Sequence, residues 1–326
     1  MSAEQPTVVS IGASDIRTVP LGVGVMTWGN PSFRHRFHPA RLSYGPADGL
    51  EEERNAVNES LAAGVTLFDT AAAYSYGASE ESLGQAAEGK DVLIATKFPG
   101  KFLLPKARSL PGTLRRSLTR LRRTTIDLYQ VHFPSRSLDI PQVMNLMADA
   151  VQEGKVRAVG VSNYSADEMK LAYDVLAKRG VPLASNQVQY SLMFRKPEID
   201  GVLETCRQLG VTLIAYMPLA MGALTGKYTG DVKPTGIRRF MGFFRKKEML
   251  DLIDILTQIG KGCGKSPAQV ALRWLIQQGN VIPIPGAKNG RQAAHNAGAL
   301  TFSLLESEVK ALSEATQFAK AKRGGY

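Results

Sequence analysis

The sequence predicts an α/β fold, a (β/α)8 TIM barrel, and three observations carry that prediction. Short apolar runs alternate with helix-periodic segments along nearly the whole of the 326-residue chain, which is the pattern of strands wrapped by helices. Eight such runs can be drawn, the number that closes a parallel barrel. The competing doubly wound sheet normally carries a Gly-rich fingerprint after its first strand. Here Gly22-Val23-Gly24 lies inside its run, and no glycine opens a helix behind it.

Taken in order, residues 7–20 read as two short strands around Gly12-Ala13-Ser14, a hairpin ahead of the main fold. The barrel strands are expected at Leu21–Thr27, Thr66–Asp69, Val92–Lys97, Ile126–His132, Ala158–Ser162, Ala184–Gln189, Thr212–Tyr216 and Val281–Ile284. Amphipathic segments lie between them at Glu51–Ala63, Ser79–Ala87, Ile140–Gln152, Ala166–Lys178, Pro197–Leu209 and Lys247–Ile259. Gly64, Gly154, Gly180, Gly210 and Gly279 stand at or just past helix ends, where a left-handed cap favours glycine. Ser266-Pro267 opens a helix with a serine cap and proline in the first turn. Ser79-Glu80-Glu81-Ser82 puts acid in a first turn, which suits the helix dipole. A final helix, from Leu304 to about Ala319, follows the eighth strand and is expected to pack across the outside. Residues 320–326 are expected to form a mobile tail. The whole chain, 1–326, is expected to be one barrel domain.

Composition narrows the function. A hydrophobic fraction of 44% supplies a large core, and no apolar run approaches the ~20 residues of a membrane span. The opening Met1–Pro6 lacks the basic and apolar regions of a secretory signal, so the cytoplasm or a plastid stroma is the expected compartment. Two cysteines, Cys206 and Cys263, make neither a disulfide framework nor a metal cluster; buried or partly buried free thiols are expected. The net charge of +11 invites a nucleic-acid reading, but its basic clusters, Arg115–Arg123 and Arg238–Lys247, accompany no nucleic-acid motif. The first reads as a solvated helix face. A basic field would also attract a small ligand rich in phosphate.

Three of the apolar runs deliver a polar group at their C-terminal ends. Asp69 closes Leu67-Phe68-Asp69, Lys97 closes Ile94-Ala95-Thr96-Lys97, and His132 closes Leu128-Tyr129-Gln130-Val131-His132. Tyr74 follows Asp69 by five residues in a small-residue loop. Strand C-termini share one face of a barrel, so the four groups can converge. Each alone has an ordinary explanation: a turn cap, a solvated strand end, a satisfied core histidine. Four in order favour a phenol acting as proton donor, its pKa of ~10 lowered by an ammonium that a carboxylate holds in place.

These residues resemble the catalytic tetrad of the aldo-keto reductase superfamily, in which Asp, Tyr, Lys and His act together. The resemblance runs from about Val19 to the C-terminal helix and is nearest the plant and algal plastid-type branch. Pyridoxal reductases and potassium-channel β subunits are more distantly similar. It implies NADP(H)-dependent reduction of a small carbonyl substrate, with Tyr74 rather than Tyr76 donating the proton. His132 would orient the carbonyl oxygen. It also implies that the N-terminal hairpin plugs the barrel.

For the cofactor, the resemblance assigns Ser162, Asn163 and Gln187 to the nicotinamide carboxamide and Tyr216 to stacking on its ring. The stretch Pro218-Leu219-Ala220-Met221-Gly222-Ala223-Leu224-Thr225-Gly226-Lys227 resembles the pyrophosphate loop. Ile284-Pro285-Gly286-Ala287-Lys288 opens a helix whose free N–H groups suit an anion. Lys288, with Arg291 as a second candidate, would hold a 2′-phosphate, and Gln292 and Asn296 match positions at the adenosine end. His295, Met217 and Ser75 depart from the family pattern, in which Glu, Ser and Gly are common there.

Trp28, Phe98 and Phe133 are expected to wall the substrate pocket, together with loops 32–38 and 229–244. His35 and His38 stand three apart, but no carboxylate or cysteine completes a metal set, and no metal is expected. The oligomeric state is open, with a monomer the default. A redox-sensing regulatory subunit with slow turnover is the alternative to an enzyme.

Overall fold

The computed structural model describes residues 7–29, 48–99, 109–134, 139–228, 232–234, 236–240 and 247–319. Loop 32–38, the 320–326 tail and much of 229–244 lie outside the described residues.

Eight parallel strands form the barrel: β3 (Gly22–Gly24), β4 (Leu67–Asp69), β5 (Leu93–Phe98), β6 (Ile126–Val131), β7 (Val156–Ser162), β8 (Leu183–Gln189), β9 (Thr212–Tyr216) and β10 (Val281–Pro283). Each pairs with its sequence neighbour, and the ring closes where Gly24 bridges Gly286 and its N–H donates to the Pro285 carbonyl at 3.0 Å. Ahead of them, β1 (Val9–Ser10) and β2 (Arg17–Thr18) make the expected antiparallel hairpin. Its Ile11 and Ile16 are buried with Leu67, Ala95, Leu128, Ala158, Ala184, Ile214 and Ile282 inside the barrel, which closes the end opposite the strand C-termini. Gly12 makes this approach feasible: it sits at φ 56°, and a Cβ there would lie 2.4 Å from the Ala184 carbonyl oxygen.

One irregularity re-aims a strand. The β7–β8 register passes from Val159 opposite Leu183 to Gly160 opposite Ser185, leaving Ala184 as an extra residue. With period-two alternation, that bulge moves Ser185, Gln187 and Gln189 onto the inner face.

Helices fill the outside. Gly64, Gly154, Gly180, Gly210 and Gly279 all adopt positive φ, as read from sequence. Ser266 caps its helix by accepting from the Gln269 N–H, and the Gln269 side chain reciprocates. The segment read as a single helix from Pro197 to Leu209 is two, Lys196–Ile199 and Val202–Gln208. Gly201 at φ 80° divides them. Cys206 is buried as expected, whereas Cys263 is exposed, because the helix Lys247–Cys263 runs on to include it as its last residue.

The C-terminal helix, Glu306–Ala315, is fixed by one buried cation. Arg195, 3% exposed, donates from Nε and Nη2 to the two Glu198 oxygens, 2.6 Å each, and from Nη1 to the Ser313 carbonyl and to Thr316 Oγ1. Its guanidinium lies 5.2 Å from the Trp274 ring centre.

Candidate active site

Strand alternation decides which groups enter the barrel. Leu67, Ala95 and Leu128 face inward, so Asp69, Lys97 and Gln130, two residues further on, do as well. His132 follows just past β6. The structure thus brings together the four residues that the sequence separates by up to 63 positions. Lys97 Nζ donates to Asp69 Oδ1 at 2.5 Å and to the Thr70 carbonyl at 2.7 Å, with both side chains buried. That Nζ lies 5.1 Å from the Tyr74 ring centre. His132 meets Tyr74 edge to face, centroids 5.5 Å apart at 83°, and Phe133 stacks on it at 4.7 Å.

Two glutamines complete the carboxylate's shell. Asp69 Oδ2 accepts from Gln187 Nε2 at 2.8 Å and Gln130 Nε2 at 3.3 Å. Gln130 was not singled out from sequence. Its signal was a polar side chain at an inward position of a strand otherwise filled with apolar residues. Gly160 leaves it room, since a Cβ there would lie 3.1 Å from Gln130 Cγ.

The electrostatics correct one expectation. Burial and the Asp69 carboxylate push the Tyr74 phenol above its ordinary pKa, rather than Lys97 drawing it down. Burial also pulls Lys97 down, opposed by Asp69 and by Glu80. His132 is pushed down to about 3 by burial and by Lys97, so its imidazole is neutral at physiological pH.

A second polar cluster stands behind the first. Glu80, read from sequence as an acid in a first turn, is fully buried in the helix Ala78–Ala86. It accepts from Thr96 Oγ1 at 2.7 Å and Arg120 Nη1 at 3.2 Å. Arg120 therefore turns in from the basic face of Leu110–Leu121, while Arg115 and Arg116 remain exposed.

The segments assigned to the cofactor line the same end. Ser162 Oγ donates to the Gln187 carbonyl at 2.8 Å, Asn163 Nδ2 to the His132 carbonyl at 3.1 Å, and Tyr216 Oη to Asn163 Oδ1 at 3.0 Å. Burial and nearby Tyr74 raise the Tyr216 phenol to about 12. Met221 (φ 58°) and Gly222 (φ 92°) are consecutive left-handed residues in the turn Ala220–Thr225, between Pro218, Leu219 and the buried Leu224; the Gly222 and Leu224 N–H groups both donate to the Leu219 carbonyl, at 2.9 and 3.3 Å, which closes the turn on itself. Lys227 is exposed. Beyond β10, Ile284 is buried, Gly286 exposed and Lys288 half-buried. Asn289 caps the helix Gly290–Ala297, Gln292 Oε1 accepts from the Lys288 N–H, and Asn296 Nδ2 reaches the Gly286 carbonyl at 3.3 Å. Burial lowers the Lys288 pKa and Asp48 opposes it, while Arg238 adds to the lowering. A half-buried cation beside a helix N-terminus, with a second cation near it, is chemistry that fits a phosphate.

Among the described residues, six of the eight non-glycine residues at positive φ, namely Ser75, Tyr76, Asn163, Met217, Ala220 and Met221, follow strand C-termini at this face. Strain of that kind gathers at functional sites. It also explains why glycine suits position 75.

Two of the three pocket residues are misplaced by the sequence reading. Phe98 follows inward-facing Lys97, so alternation turns it outward into the packed layer beneath the helices. Trp28 is 1% exposed, with its indole N–H donating to the Ala287 carbonyl at 2.7 Å. Neither presents a surface to a ligand. Phe133, half-buried against His132, lies beside the tetrad.

With this geometry in hand, comparison with known proteins is specific. Residues 20–317 match the model of the aldo/keto reductase family, and the chain belongs to that family of oxidoreductases. It is 36% identical over 316 residues to the chloroplastic pyridoxal reductase of Arabidopsis thaliana, covering 91% of this chain and 83% of that protein. An aldo-keto reductase of Schizosaccharomyces pombe, named for NADP(+), is 34% identical, with 87% of each chain covered. Among solved structures, the aldo-keto reductase of Klebsiella pneumoniae in complex with NADPH superposes with a TM-score of 0.73. It is 26% identical, and 96% of each chain is covered.

Proposed function

We propose that the chain is an NADP(H)-dependent reductase of aldehydes or ketones, with Tyr74 as the proton donor. The observation that carries this reading is the buried Asp69–Lys97 pair set against the Tyr74 ring, with a neutral His132 perpendicular to that ring. The S. pombe relative and the NADPH complex support the cofactor. The Met221–Gly222 turn, Lys288 and the capped helix Gly290–Ala297 would hold its phosphates. When bound, its reduced nicotinamide supplies a hydride to a carbonyl carbon.

The chain's own residues handle the oxygen. A neutral imidazole at His132 can donate a hydrogen bond to the carbonyl oxygen without bringing in another charge. Tyr74, its pKa raised, stays protonated and acts as the acid as negative charge grows on that oxygen. Lys97 has three donors; Asp69 and Thr70 take two, leaving the third to turn toward the phenolate that forms. Asp69, pinned by Gln130 and Gln187, keeps the ammonium from wandering.

Pyridoxal is the first substrate to try, on the strength of the Arabidopsis relative. NADPH consumption should be followed with pyridoxal and a panel of aldehydes and ketones, beside Tyr74→Phe. Turnover that falls by ~100-fold or more in the variant is expected, the usual scale of general-acid catalysis. Undiminished turnover would remove Tyr74 from the acid role. NADPH binding with no turnover on any carbonyl would favour a cofactor sensor instead.

A further inference from the structure

Glu80 stands behind the barrel wall, and its hydrogen-bond partners join the tetrad's own segments. The chain leaving Asp69 runs alongside β5: the Thr70 N–H donates to the Ala95 carbonyl at 2.8 Å and the Ala72 N–H to the Lys97 carbonyl at 3.3 Å. It then turns through Tyr74–Gly77, where Ser75 (φ 48°), Tyr76 (φ 56°) and Gly77 (φ 98°) are all left-handed, and enters the helix Ala78–Ala86. The first turn of that helix comes back to where the loop began. Ser79 Oγ donates to the Val25 carbonyl at 2.8 Å and lies 2.9 Å from Thr70 Oγ1, while Glu80 accepts from Thr96 Oγ1 at 2.7 Å. Thr70 follows Asp69, and Thr96 precedes Lys97. The loop that carries Tyr74 is thus stapled at both ends to residues beside its partners.

We infer that Glu80, held by Arg120, is a positioning residue for the proton transfer, fixing the Tyr74 turn against the strand that carries Lys97; the inference rests on the carbonyl-reductase reading above. Glu80 and Thr96 are fully buried, so water does not compete for their bond. Arg120 donates to the second Glu80 oxygen at 3.2 Å, and its guanidinium packs on Gly77, where a Cβ would lie 2.2 Å from Arg120 Cζ. One side chain therefore grips both the last residue of the turn and the carboxylate that reaches β5. Burying a carboxylate is costly, and apolar packing would serve a purely structural purpose as well or better. The Glu80 charge also joins that of Asp69 in opposing the burial that lowers the Lys97 pKa. What the brace sets is the place of the Tyr74 ring, whose centre lies 5.1 Å from Lys97 Nζ. The phenol has to meet the substrate oxygen with that ammonium still beside it.

Glu80→Ala would leave Arg120 facing a hole, so the test cuts the brace more gently. Thr96→Val keeps the shape of the side chain and removes its hydroxyl, whereas Thr96→Ser keeps the hydroxyl. Carbonyl reduction and NADPH binding are measured for wild type and both variants. Since a misplacement of ~1 Å can cost about 100-fold, Thr96→Val should lose about tenfold in kcat at unchanged substrate KM and NADPH affinity. Thr96→Ser should recover most of that loss. The cofactor-free readout is NMR of protein labelled at lysine Cε, with the Lys97 signal assigned by its absence from Lys97→Arg. That signal lies beside the Tyr74 ring, and its ring-current shift should shrink in Thr96→Val and persist in Thr96→Ser. Unchanged kcat in Thr96→Val would overturn the assignment even if the melting temperature fell, because the cluster would then be structural alone. An unmoved Lys97 signal would also overturn it, as would a loss confined to KM or to NADPH affinity. Failure of wild type to reduce any carbonyl would instead sink the reading on which the inference stands, while the Lys97 signal would still report the brace.

Discussion

The neutrality of His132 can be tested by titration. Its ring meets Tyr74 at a near-right angle and stacks on Phe133, and burial, together with the Lys97 ammonium, brings its pKa from 6.5 down to about 3. The sign follows from linkage. The unfolded chain takes up a proton near 6.5, while the folded one resists until about 3, so the unfolded state binds more protons across that window. Stability contributed by the neutral ring is therefore complete above 6.5 and is lost as the pH falls through the window. At 1.36 kcal/mol per unit, going from pH 6.5 to 4.5 should cost about 2–3 kcal/mol through this residue alone. The chain has only four histidines, so histidine-labelled protein gives four Cε1–H signals. The one absent from His132→Asn is assigned at once. Its shift should hold constant from pH 8 to 5, and urea denaturation of His132→Asn should lose correspondingly less stability over the acid limb than wild type does. A signal that titrates with a midpoint between 6 and 7 would refute the reasoning, and with it the neutral donor in the proposed mechanism.

Two further outcomes are expected. Arg195→Met strips the Glu198 carboxylate of a buried bidentate partner and frees the Ser313 carbonyl. Breaking such a pair costs ~3–5 kcal/mol, and calorimetry should show the melting temperature down by roughly 6–12 °C; a change under about 1 °C would mean that the clamp contributes nothing. Glu53 is buried with its pKa raised by desolvation, against hydrogen bonds from Ser82 and Gly29. A raised carboxyl pKa favours folding when protonated and penalises it as pH climbs past that value. Glu53→Gln should accordingly gain on wild type in melting temperature between pH 4 and pH 8, and a pH-independent difference would contradict the burial argument.

The barrel and the tetrad were legible in the chain for one reason: both follow from period-two strands that end in a polar group. Asp69, Lys97 and His132 announced themselves that way. The same alternation would have placed Phe98 outside, as the neighbour of an inward lysine, and it would have found Gln130. What the chain did not show depends on contacts between remote segments. Glu80 looks like any acid in a first turn until Thr96 and Arg120 are seen around it. Trp28 looks like a loop aromatic until the Ala287 carbonyl, 259 residues away, accepts its N–H. The extra residue at Ala184 is invisible without its partner strand, yet it determines which way three side chains point. The Asp200-Gly201 break in the Pro197–Leu209 segment was a local turn signal, outweighed by the apolar periodicity on either side.

The seam between Gly24 and Gly286 has a mechanical consequence. A ring of parallel strands is only as stiff as its last joint, and here that joint links the earliest strand of the barrel to the latest through a short bridge and the neighbouring Trp28–Ala287 bond. The segment that completes it continues directly into Lys288 and the Gly290–Ala297 helix. A phosphate seated there would draw the two ends of the polypeptide together like a buckle. Protection of amide hydrogens in the first strands, far in sequence from Lys288, should then rise when an adenosine phosphate occupies that helix.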